Sequence, residues 1–175
     1  MVGERRYAPA RPFPRYAFLP GRDPHPVRDP EGHSYGETEL AADYLPPSAW
    51  ERNDDYLFGV DLYNHGYLWE AHEAWEGLWH VTKKTGSRPD ELQGLFLQGL
   101  IQCTAAALKV RMEQPRGLER LGELGLEKLE TVGRRSGGTF MGLDVFEFVG
   151  AMRRFVGDAP ASADARPPLK LETSA

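Results

Sequence analysis

The chain has 175 residues, carries a net charge of −5 and contains a single cysteine. This length is enough for one domain with its own core, and one cysteine excludes both an internal disulfide and a zinc-finger pattern. No apolar run is long enough for a membrane span and no apolar leader opens the chain, so we expect a cytoplasmic protein without a membrane partner. The negative charge also argues against nucleic acid as a partner of the whole molecule.

Residues 1–50 are rich in proline, which predicts an ordered, extended arm and forbids a long helix. The first 28 residues hold six arginines against two acidic residues, with aromatic residues between them. A basic, aromatic segment can stack on single-stranded nucleic acid. No known nucleic-acid module accompanies this one, so we expect the arm to wrap the acidic body of its own domain.

Five helices are predicted in the bundle domain at residues 51–157. Asn53 can cap the first helix, Gly66 ends it as a left-handed residue, Ser87 begins the third, and Asp144 caps the fifth. The predicted helices cover approximately residues 53–65, 67–80, 88–113, 115–132 and 145–157. No segment shows the alternation and turns of a β-hairpin, so we expect an all-α fold, a single bundle. Residues 158–175 are rich in Ala, Pro and Ser, which predicts a disordered tail.

The second predicted helix and the turn before it concentrate carboxylates, histidines and tryptophans. At helical periodicity His72, Glu73 and Glu76 share one sector, with Trp69 between the carboxylates and Trp79 beside the imidazole. His72 and Glu76 are four residues apart, close enough to share a hydrogen bond or a metal ion. Burying such groups requires pairing, hydrogen bonding or metal ligation, so the pattern predicts a site.

The third predicted helix offers complementary polar groups. Gln98 and Gln102 are also four residues apart, on an otherwise apolar stretch. A buried glutamine needs hydrogen-bond partners, and we expect them among the carboxylates of the second helix, including Glu70. Asn64, at the end of the first helix, could complete this network.

Three interpretations of the cluster remain open, the first being the one we favour. In this interpretation the cluster is a buried polar network, structural or ligand-binding, that sets helix register. Alternatively, His72 and Glu76 bind a divalent metal while Glu73 serves as a third ligand or as the catalytic base of a metal-assisted hydrolysis. Finally, the tryptophans could wall a pocket for a small molecule. A self-associating scaffold, hence a homo-oligomer, is a further alternative.

The arm contributes two more histidines, His25 and His33. If the arm folds over the bundle, either imidazole could join the cluster as a metal ligand. Because histidines in loops are commonly exposed, we expect instead that both lie in solvent.

Three stretches, residues 63–67, 69–79 and 97–102, resemble in order the polar motifs of domain-of-unknown-function family 309. The resemblance covers about residues 54–129, and the N-terminal arm resembles an extended subgroup of that family. It implies a small all-α domain and no established activity. The family's polar motif would include Asn64, Glu70, His72, Glu73 and Gln98.

Overall fold

The computed structural model describes residues 5–85 and 88–174 and confirms the all-α class. Its α-helices are α1 (Asp54–Asn64), α2 (Leu68–Lys83), α3 (Arg88–Arg111), α4 (Pro115–Ser136) and α5 (Val145–Gly157). Short 3-10 helices occupy Pro47–Arg52 and Ala163–Ala165. The predicted helix start at Ser87 lies outside the described residues. In the described part of the chain, no helix combines the length and apolar character that crossing a bilayer requires.

Local signals decide where the helices begin and end, as predicted. The Asn53 side chain accepts a hydrogen bond from the Tyr56 N–H at 3.1 Å, which caps α1. Gly66 has φ +86°, the left-handed conformation that ends a helix. The Asp144 carboxylate accepts from the Glu147 N–H at 3.0 Å and caps α5.

A short antiparallel hairpin stands where only a glycine-rich loop was expected. Its strands are β1 (Thr139–Phe140) and β2 (Leu143–Asp144). The two residues between them, Met141 and Gly142, both have positive φ, which suits the tight turn of a two-residue hairpin. Strands this short carry no alternation for sequence reasoning to detect.

The helices pack in a layered bundle in which α3 lies between α2 and α4, α1 covers α2, and α5 covers α4. Trp75 of α2 is fully buried, and its indole N–H donates to the Tyr56 carbonyl at 3.3 Å. This tryptophan is therefore part of the core, and it does not line an open pocket as one interpretation required.

A buried aspartate fastens the arm to α1. The Asp61 side chain is 0% exposed and accepts three hydrogen bonds, from Arg6 Nε at 3.2 Å, the Tyr7 N–H at 2.7 Å and the Ala8 N–H at 2.9 Å. Arg11 pairs with two aspartates in the first turn of the same helix. The arginines at the start of the arm thus meet acidic residues of their own domain.

The tail, for which the composition predicts disorder, is instead packed as far as Leu171. Leu169 and Leu171 are buried, and Leu171 forms an antiparallel bridge with Leu143. The Asn64 amide donates to the Leu169 carbonyl at 2.9 Å and accepts from its N–H at 2.8 Å. Composition misleads here because two leucines find apolar surface on distant elements, and burial offsets the entropy of ordering the segment.

Candidate functional site

The polar cluster of α2 divides into two groups with different surroundings. The Glu70 side chain is 6% exposed beneath the arm, whereas His72, Glu73 and Glu76 are 26%, 45% and 39% exposed. The arm explains the division, because it covers Glu70 and supplies that carboxylate with partners while the other three side chains stay open.

Glu70 holds the arm. Its Oε1 accepts a hydrogen bond from the Phe18 N–H at 2.8 Å and lies 2.9 Å from Nε2 of His33, whose side chain is only 4% exposed. A carboxylate can only accept, so the imidazole donates in this contact. The Nδ1 atom of His33 lies 2.8 Å from the Ser34 hydroxyl. The expected solvent exposure of His33 is thus corrected, because the folded arm inserts this ring between itself and α2.

The other group, which we call the α2 triad, consists of His72, Glu73 and Glu76. Glu73 Oε1 lies 3.4 Å from His72 Nδ1, and Glu76 Oε1 lies 3.9 Å from His72 Nε2. One ligand atom from each residue lies within 4.8 Å of the others. The Nδ1 atom is buried and makes no hydrogen bond within the described residues, although Glu73 Oε1 lies 3.4 Å away.

Imidazole and carboxylate oxygen are a ligand set that zinc and related divalent ions accept. Ligands of one zinc ion lie about 2.0–2.2 Å from it at tetrahedral angles, so two ligand atoms are about 3.5 Å apart. The donor atoms of the α2 triad lie within 4.8 Å of one another and would have to draw closer to meet this geometry. The two carboxylates are exposed and are the groups with room to turn.

The amide side chains predicted to join this cluster lie elsewhere or lack its contacts. Asn64 is committed to the tail through Leu169. Gln98 and Gln102 make no side-chain hydrogen bond to α2 within the described residues, and Gln102 Oε1 is buried without any partner there. The expected hydrogen-bonded network between α2 and α3 is thus not formed by these groups.

Two tryptophans of the motif pack at opposite ends of α2. Trp69 contacts the Phe18 ring edge-on at 5.1 Å and the His25 ring at 5.8 Å, so it supports the arm. Lys83 Nζ lies 3.6 Å from the ring centre of Trp79. Within the described residues, neither His25 nor His33 belongs to the group that could share a metal ion with His72.

Sequence reasoning missed a group of cationic side chains around Gly66. Arg111 Nη1 donates to the Gly66 carbonyl at 2.6 Å, and Arg166 Nη2 donates to the Tyr63 carbonyl at 2.6 Å. His65 lies beside them and lines the same cavities. No motif marks Arg111 or Arg166, and Arg166 falls in the segment expected to be disordered.

The structure defines a class of protein, a small all-helical domain whose α2 and α3 carry an ordered set of polar motifs. The model of the family described as domain of unknown function (DUF309) matches residues 56–121, which run from α1 into α4. The resemblance drawn from the motifs is thereby confirmed. No curated protein and no solved structure matches the chain.

Proposed function

We propose that the domain binds a divalent metal ion at the α2 triad. The observation that carries this proposal is the convergence of one imidazole nitrogen and two carboxylate oxygens within 4.8 Å on one face of α2. His72 and Glu76, four residues apart on this helix, suit a chelate that needs no other element.

The charge of the α2 triad and the position of Glu73 support the same proposal. The two carboxylates concentrate negative charge on one face of α2, which a divalent cation offsets. If Nε2 of His72 and Glu76 bind the ion, Glu73, which lies 3.4 Å from Nδ1, would move closer to hold the ring, as carboxylates beside ligating histidines commonly do. A bound divalent ion would activate a water molecule, and Glu73 would alternatively serve as the base of the hydrolase interpretation.

The buried half of the cluster supports the structural interpretation. Glu70 joins the arm to α2 through His33 and the Phe18 backbone, and none of these three belongs to the α2 triad. We therefore assign Glu70 to fixing the arm and the triad to binding the ion.

The test is isothermal titration of full-length, tag-free, metal-free protein with Zn²⁺ and with Mn²⁺. We expect one ion per chain, and binding weaker by about tenfold or more in His72→Ala and in Glu76→Gln. His80→Ala is the matched control, because His80 is exposed on the same helix outside the triad. Circular dichroism would verify that each variant is folded.

Two outcomes would contradict the proposal. One is the absence of stoichiometric binding to the wild-type protein. The other is an equal loss of affinity in His80→Ala and His72→Ala, which would indicate nonspecific binding to surface imidazoles.

A further inference from the structure

A cavity of about 480 Å³ lies between the arm and the turn that joins α1 to α2. The arm contributes Leu19 and Arg22, the turn contributes His65 and Tyr67, and α3 contributes Arg111. Two of the side chains that line this cavity are arginines and none is acidic. The volume is in the range of small-molecule sites, and no residue of the α2 triad lines it.

Positive charge accumulates at the back of this cavity. A Cβ atom at Gly66 would lie 3.0 Å from Nη2 of Arg111 and 3.9 Å from Nη2 of Arg166, so the two guanidinium groups converge on the turn. The acidic side chain paired with both is Asp164, at 3.6 Å and 3.5 Å, and it is 83% exposed. Because the Asp164 carboxylate is solvated, it only weakly screens the guanidinium groups of Arg111 and Arg166, and an excess of positive charge remains at this turn.

The pKa of Arg111 reflects the same surroundings. Burial lowers it and the neighbouring Arg166 lowers it further, and together they outweigh Asp164 and Glu70, which raise it. Arg111 commits Nη1 to the Gly66 carbonyl, which leaves donors of its fork for another group. An anion in the cavity would favour the charged guanidinium by supplying the missing opposite charge.

His65 supplies a polar atom without a partner. Its Nε2 is buried and makes no hydrogen bond in the described part of the chain, while its ring packs on Phe13 at 4.8 Å. The ring lines the cavity, and the side chain would have to turn to bring this nitrogen to a ligand there. The adjacent α2 begins at Leu68 without a side-chain cap, and the positive end of its dipole favours a negative group nearby.

We propose that this cavity binds a small organic anion, a carboxylate or a phosphate monoester. The oxyanion pairs with Arg111 and Arg22, while Leu19, Tyr67 and the His65 ring contact the rest of the molecule. Arg22 is 69% exposed and pairs only weakly with Asp23 at 3.5 Å, so it is free to close over the oxyanion. This site is independent of the metal ion proposed for α2.

The test uses full-length protein at low ionic strength, titrated calorimetrically with benzoate, with phenyl phosphate and with neutral benzyl alcohol. We expect saturable binding of one anion per chain and none of the alcohol. Arg22→Gln should weaken binding about tenfold, the effect of losing one charge-assisted contact, and leave the thermal unfolding midpoint of the free protein unchanged. Arg28→Gln, at an exposed arm arginine that does not line the cavity, is the matched control.

Arg111→Lys keeps the charge but loses the planar fork, and it should also weaken binding. A preference for benzoate or for phenyl phosphate identifies the class of oxyanion, and either preference supports the site. The proposal is overturned if neither anion saturates, or if Arg28→Gln weakens binding as much as Arg22→Gln.

Discussion

Removing the Asp61 carboxylate should release the arm and cost much of the protein's stability. The carboxylate is fully buried and accepts from Arg6 and from the N–H groups of Tyr7 and Ala8. In Asp61→Ala these donors lose their acceptor, and an unsatisfied buried donor costs about 1–3 kcal/mol. The Arg6 side chain is 23% exposed and can turn toward water, so we expect a total loss of about 3 kcal/mol.

The matched control is Asp54→Ala, which removes a carboxylate from the same helix. Asp54 is 63% exposed and pairs with Arg11 at 2.8 Å, so its loss should cost less than about 1 kcal/mol. Urea unfolding followed by tryptophan fluorescence measures both free energies, and tryptic digestion reports whether the arm is released. If Asp61→Ala does not fold, Asp61→Asn keeps one acceptor oxygen and should fall between the two. Equal losses in Asp54→Ala and Asp61→Ala would refute this reasoning.

Two further predictions concern a glycine and the cysteine. Gly66→Ala should lower the free energy of unfolding in urea more than Gly21→Ala does. Both glycines have positive φ, so both substitutions carry a backbone strain of about 1–2 kcal/mol, but only a methyl group at Gly66 would crowd Arg111, at 3.0 Å. Equal losses of stability would contradict a crowded turn. Burial raises the pKa of the Cys103 thiol to about 12, so at about pH 8 it stays protonated and shielded. A colorimetric thiol reagent should therefore label Cys103 only when the protein unfolds, and rapid labelling of the folded protein would show that α3 opens locally.

The sequence predicts the helices well because their signals are local. Caps at Asn53 and Asp144 and the left-handed Gly66 act within a few residues, and each has the predicted role in the structure. The convergence of His72 with Glu73 and Glu76 also follows from helical periodicity alone.

The surroundings of these residues could not be predicted in the same way. Glu70 is buried because the arm crosses α2 and supplies His33 and the Phe18 backbone as partners. The spacing of Gln98 and Gln102 on α3 predicted partners on α2, yet Gln102 Oε1 finds no partner within the described residues. Hydrogen bonding needs a distance and an angle that periodicity does not specify.

The amino-acid sequence by itself determined the all-α class, the caps of α1 and α5 and the motifs that match the family model over residues 56–121, since these depend on neighbours along the chain. Only the tertiary structure separated the buried Glu70 from the open α2 triad and ordered the tail against Asn64 and Leu143. It also brought Arg22, Arg111 and Arg166 to one turn from three distant parts of the chain. The physical reason is that burial and charge accumulation are properties of surfaces that meet only after the chain has folded.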